Sequence, residues 1–172
     1  MSNARTDDRI LGSLGSINGK GMVRLEDRLD CGIGEAWSAL TEPDRLAFWY
    51  GEVEGDLRLG GEYRARLFAS GWEGTVRIEA CEPPMRLLSV TKQADEAEEQ
   101  EIEITLTADG DGTVLVWEER GMPEDQLAAY GAGVQVHVED LAAYLRGSDR
   151  CDARARFREL FPAYQALPTS VR

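Results

Sequence analysis

The sequence predicts an α+β fold built on one antiparallel sheet. Three observations predict it. Between Leu57 and Arg120, apolar and polar residues alternate in short runs punctuated by Gly and Asp, the pattern of strands joined by hairpins. Two short apolar-faced stretches, at 33–40 and 44–49, precede those runs. One long helical repeat, at 124–146, follows them. Strands gathered in the middle with helices at either side are the order of an α+β domain, not of alternating βα units.

Taken in order, residues 1–21 are polar and carry Gly12, Gly15, Gly19 and Gly21, so they read as a flexible N-terminal arm. From Met22 to Asp30, Val23, Leu25 and Leu29 alternate with charged residues, the period of a half-buried strand. The period then changes. Ile33, Trp37 and Leu40 share one face of a short helix, and Pro43 opens a second that Gly51 ends. Asp56–Leu59, Gly60-Gly61 and Glu62–Phe68 read as a hairpin. Trp72, Gly74, Val76, Ile78 and Ala80 line one face of the next strand, which Pro83-Pro84 closes. Met85–Lys92 follows. Asp95–Glu103 carries six acids and reads as a solvated hairpin tip merging into the strand of Ile102, Ile104 and Leu106. Asp109-Gly110-Asp111-Gly112 turns the chain into the last strand, Thr113–Arg120.

The long helix organises the rest. Leu127, Tyr130, Val134, His137 or Val138, Leu141 and Leu145 recur at three- and four-residue steps and form one apolar stripe. At 1.5 Å per residue it spans roughly 30 Å. Gly131 and Gly133 interrupt it, each costing about 1 kcal/mol relative to Ala. Small residues in such a stripe suit a helix that roofs a hollow. After the break at Gly147, Phe157, Leu160, Phe161 and Tyr164 mark a further helix over 152–166. It packs either on its own domain or across a homodimer. The expected organisation is an arm at 1–21, a domain at 22–146 and an appended helix and tail at 147–172.

Composition narrows the function. The 42% hydrophobic fraction is that of a globular chain, and no run is long enough to span a membrane. No signal-peptide pattern opens the sequence, so a cytoplasmic protein is expected. Thirty-two acids against 19 Lys and Arg give a net charge of −13, which disfavours nucleic acid and anionic membrane surfaces as partners. Cys31, Cys81 and Cys151 are odd in number and far apart, suiting reduced thiols rather than a disulfide framework or zinc site.

Four segments, in order, resemble one family. Ala36-Trp37-Ser38-Ala39-Leu40-Thr41-Glu42-Pro43-Asp44-Arg45-Leu46-Ala47-Phe48-Trp49-Tyr50 is similar to the signature of START-like (SRPBCC) proteins, and within them to the homologues of the heat-shock-protein-90 ATPase activator. Asp56-Leu57-Arg58-Leu59-Gly60-Gly61-Glu62-Tyr63 resembles that family's hairpin. Gly74-Thr75-Val76 leading to Glu82-Pro83-Pro84-Met85-Arg86-Leu87 resembles its Pro-Pro segment. Gly112-Thr113-Val114-Leu115-Val116, with Gly131, Gln135, His137 and Leu141, resembles its last strand and helix. The resemblance implies a helix-grip fold: a curved antiparallel sheet wrapped around the long C-terminal helix, with two short helices after the first strand. The sequence departs from the pattern at Cys31-Gly32, where Ala-Pro or Ser-Pro is usual, and at Val134, near a position often aromatic.

The residues themselves leave several chemistries open. Trp37, Trp49, Trp72 and Trp117 fit either an ordinary core or a pocket wall. The expected ligand cavity is lined by Trp49, Tyr63, Trp72, Trp117, Tyr130, Val134, His137 and Leu141, since ligand sites are mostly apolar with a few polar groups. His137 is the sole histidine, which argues against a metal centre. It is either a hydrogen-bonded polar group on the inner helix face or an acid–base group needing a carboxylate such as Glu118 or Glu73. The charged strand residues, including Arg64, Arg66, Arg77, Glu118 and Glu119, belong mostly on the wet face. No phosphate loop, nucleophile or cofactor site stands out. The leading expectation is a module holding a small hydrophobic molecule. A polyketide cyclase/aromatase-like enzyme and a chaperone-ATPase-activating interaction domain are the alternatives.

Overall fold

The computed structural model describes residues 9–92 and 98–171. A nine-stranded sheet dominates it. Strands β1 (Gly12–Ile17) and β2 (Lys20–Leu29) lead into α1 (Ile33–Thr41) and α2 (Pro43–Trp49). Then come β3 (Gly51–Gly55), β4 (Glu62–Leu67), β5 (Glu73–Glu82), β6 (Arg86–Lys92), β7 (Gln100–Asp109) and β8 (Gly112–Met122). A short 3₁₀ turn precedes α3 (Leu127–Leu145), and α4 (Ala153–Gln165) and β9 (Thr169–Val171) end the chain. The spatial order is β3-β4-β5-β6-β7-β8-β2-β1-β9. From β3 across to β1 every pair is antiparallel, as the alternating pattern predicts. The sheet curves about α3, giving the helix-grip arrangement.

Four local expectations are corrected. Residues 12–21 are not part of a free arm. Asn18 and Gly19, both at positive φ, form a two-residue turn that folds β1 onto β2. Residues 1–8 lie outside the described residues. The strand expected at 56–59 is a turn, and its partner for β4 is the preceding β3, where Gly51 pairs with Leu67 and Gly55 with Tyr63. The first turn of the long helix is 3₁₀, so α3 proper starts at Leu127. The terminal β9 pairs parallel to β1, making the sheet mixed at that edge. The acidic tip expected at 95–103 is described only from Glu98 onwards.

The helix at 153–165 buries its apolar face within its own chain. Leu160 and Tyr164 are fully buried, and Arg156 forms ion pairs with Glu139 of α3 and with Glu159. Asp152 caps this helix by accepting from Ala155 N at 3.1 Å. Of the apolar residues that marked this helix, Leu160 and Tyr164 are spent on intramolecular packing, while Phe157 and Phe161 are half-buried. Tyr164 fits under Gly131, where an added Cβ would lie 2.5 Å from its ring, and its hydroxyl donates to Gln135 Oε1 at 2.6 Å. Gln135 also accepts from Leu11 N and donates to Arg9 O, so one amide ties α3, α4 and the N-terminal segment together. Gly131 thus admits a neighbouring ring and does not face a hollow. Gly133 has no atom within 4 Å of where its Cβ would stand, and it does.

Candidate functional site

Between α3 and the concave face of the sheet lies a cavity of about 740 Å³. Its existence follows from the side chains that meet there. On α3, Ala129, Gly133 and Val134 are small for their positions, so the helix stands off the β4–β5 side of the sheet without filling the gap. On the sheet, the inward residues of β4 to β8 are spaced by two, as pleating demands. Tyr63, Ala65 and Leu67 point in, while Arg64 and Arg66 point out and pair with Glu54 and Glu73.

One part of the wall is aromatic and buried. Trp49 and Trp117 are 1% exposed, with ring centroids 6.5 Å apart in an edge-on arrangement. Trp49 Nε1 donates to Ala39 O at 2.9 Å, which fixes α2 against α1. Tyr50 packs against both rings and against His137, whose centroid is 5.0 Å away. The imidazole also stacks on Trp117 at 6.3 Å. His137 Nδ1 is buried with no hydrogen-bond partner among the described residues. Burial holds its pKa down at about 4, so the ring is neutral at physiological pH. Neither Glu118 nor Glu73 serves it, because both sit on the outer face.

One carboxylate does enter the cavity. Along β8, Thr113, Leu115, Trp117 and Glu119 alternate inward, and Glu119 is 9% exposed. Its Oε2 accepts from Trp117 Nε1 at 3.0 Å. Burial raises its pKa to about 7, against an ordinary 4.5. The expectation that strand charges lie on the wet face fails here. It holds for Glu118, which pairs outside with Arg120. Burial likewise pushes the hydroxyls of Tyr50 and Tyr63 well above the usual tyrosine range.

Of the residues expected to line a cavity, Trp49, Tyr63, Trp72, Trp117, Tyr130, Val134 and His137 are brought together around this one. Trp72 lies just before β5, and its ring covers Gly74, where a Cβ would come within 2.6 Å of it. Tyr130 accepts from Gln100 Nε2 at 3.1 Å. Leu141 is not in the lining. It is fully buried further along α3, in the packed core. Sequence reasoning missed Tyr50 and Glu119. Period-two alternation from Trp117 places Glu119 inside, had its charge not been weighed more heavily. Among the described residues, no three His, Cys, Asp or Glu side chains are grouped to hold a metal.

Residues 30–146 match the family described as Activator of Hsp90 ATPase homolog 1-like protein. The chain belongs to this family. The match spans the two short helices, β3 to β8 and α3. CalU16 from Micromonospora echinospora, in its crystal structure, is 31% identical over 91% of this chain and 96% of its own, with a TM-score of 0.75. DynU16, a protein of the dynemicin biosynthetic locus, is 28% identical over 76% of this chain, with a TM-score of 0.69; the match spans 50% of DynU16. The Bordetella parapertussis protein BPP1335 shares the fold at 19% identity, covering 87% of each chain with a TM-score of 0.70. No functionally curated protein matches the chain. No described helix is long and apolar enough to cross a membrane.

Proposed function

We propose that the protein binds a small hydrophobic molecule in the cavity between the sheet and α3. The observation that carries this reading is the hollow itself: about 740 Å³ walled by aromatic and aliphatic side chains, with few polar groups. That volume lies within the range of sites for drug-sized ligands, about 300–1,000 Å³. The origin of DynU16 in a biosynthetic locus fits a small metabolite better than a macromolecule as the occupant. Cys31, Cys81 and Cys151 are free thiols, which suits the reducing cytoplasm.

Val134 provides the test. It is 3% exposed and lines the cavity from the middle of α3. Val134→Trp extends a large ring into that space. Uptake of the neutral fluorescent probe N-phenyl-1-naphthylamine is expected to fall at least about tenfold, while the melting temperature holds. Overpacking a solid core would instead cost about 1–3 kcal/mol. A sharp drop in melting temperature with unaltered probe uptake would refute the reading, as would failure of the unmodified protein to take up the probe.

Glu119 favours a second reading, an enzyme of the polyketide cyclase kind. A carboxyl that titrates near neutrality in an apolar cavity, in a wall shared with Tyr50 and His137, can accept or return a proton. On this reading, Glu119→Gln abolishes turnover of a polyketide thioester analogue but retains probe uptake. Equal turnover by the variant would remove Glu119 from the chemistry.

A further inference from the structure

The cavity opens where α4 meets the loop between β4 and β5. The lining residues that reach solvent there are Ser70, Gly71, Arg154 and Arg158. Phe157 stands between the two arginines in sequence and is half-buried against the lining. Arg150 braces the opening from the same side, its guanidinium carbon 4.3 Å from the centre of the Phe68 ring.

Among the described residues, the two arginines at the mouth differ from most of the other arginines, which are ion-paired. Arg28, Arg45, Arg77, Arg86, Arg120 and Arg156 each face at least one carboxylate. Arg154 and Arg158 form no ion pair among the described residues; Arg158 Nε makes only a long hydrogen bond of 3.5 Å to Arg154 O. Four residues apart on a helix, their side chains emerge side by side. In a protein of net charge −13, two cations without an ion pair stand at the edge of an apolar cavity. At physiological ionic strength charges beyond about 8 Å are screened, so a group held between these two side chains experiences them more than acids elsewhere on the molecule. The segment that carries them lies beyond residues 30–146, the part shared with the family.

We infer that the occupant of this cavity is an amphipathic organic anion, its apolar body between α3 and the sheet and its carboxylate at the mouth between Arg154 and Arg158. The guanidinium fork matches a carboxylate in two parallel hydrogen bonds, which gives direction to a ligand that the apolar walls alone would leave free to enter either end first. This inference rests on the cavity being a binding site. Glu119 is the only acid in the lining among the described residues and is itself buried, so a carboxylate carried into the interior would meet it. The buried acid and the exposed arginines therefore favour the same orientation.

Displacement of N-phenyl-1-naphthylamine by decanoate and by decan-1-ol tests this on the full-length chain. The two competitors share a tail and differ in charge. Decanoate is expected to compete about fivefold better at low salt, the scale of exposed ion pairs, and the advantage should shrink at high salt. Arg154→Gln/Arg158→Gln should erase the preference, Arg154→Lys/Arg158→Lys should keep most of it, and Arg154→Glu/Arg158→Glu should reverse it. Equal competition by acid and alcohol, or a preference that persists in the double Gln variant, overturns the inference and leaves the cavity as a binding site. No uptake of the neutral probe by the unmodified protein overturns both.

Discussion

Glu119 and His137 are displaced in opposite directions by the same cause, burial in an apolar enclosure. Glu119 titrates at about 7 in the folded protein and near 4.5 when unfolded. Over that interval the folded chain keeps a proton that the unfolded chain has released, so its contribution to stability is whole below 4.5 and is lost as pH rises through 7. His137 titrates at about 4 when folded and near 6.5 when unfolded. Here the unfolded chain binds the proton first, and stability present above 6.5 is lost as pH falls through 4. The two effects overlap between pH 4.5 and 6.5 and oppose each other. Glu119→Gln should therefore unmask a stability that rises with pH across that window, and His137→Asn one that falls, each by about 3 kcal/mol. Urea unfolding of both variants at the two ends of the window measures this. Slopes of the same sign would show that the two groups do not titrate as buried neutral partners of the cavity.

At the scale of elements, α3 has two unlike sides. Gly131 receives the ring of Tyr164, and a methyl there would lie 2.5 Å from Tyr164 Cδ1. Gly133 borders open cavity. Gly131→Ala should destabilise the protein, because a ring wedged between helices cannot move aside. Gly133→Ala should stabilise it by up to about 1 kcal/mol, the ordinary difference in helix propensity. Thermal melting distinguishes the two, and equal effects would contradict the placement of α4. Much of this architecture was legible beforehand. Alternation at 22–30, 102–106 and 113–120 is long and regular, and the cavity wall from Trp49 to His137 follows from it together with the family resemblance. The errors have local physical reasons. Gly12 and Gly15 lie in a strand because Tyr164 and Met22 crowd the positions a side chain would take, and a one-dimensional reading sees only flexible glycines. Leu57 and Leu59 alternate like a strand, but the chain is already turning there, with Gly60 at φ 79°. Leu141 continues the apolar stripe of Val134 beyond the cavity's end. Docking of α4 on α3 depends on residues distant in sequence, which periodicity does not report.

At the scale of the molecule, charge and cavity are separated by the sheet. Its outer face carries an ion-pair ladder in which Arg86 and Arg120 share Glu103 and reach Glu82, Glu101 and Glu118. Exposed pairs of this kind contribute little each, about 0–1 kcal/mol. The pairing of β2 with β8 has a kinetic side. Leu29 must find Thr113 and Gly21 must find Met122, so the centre of the sheet closes loops of more than eighty residues. Non-local closures of this kind are slow, and until they occur β2 and β8 are bare edges presenting Val23, Leu25, Leu115 and Trp117. An excess of negative charge keeps such unfinished chains apart. Refolding from urea at high protein concentration should then lose yield when sodium chloride screens that charge, and dilute refolding should not. Equal yields with and without salt would show that the acids guard nothing during assembly. A sequence with 32 acids is in this light provisioned less for its finished surface than for the interval before its middle strands meet.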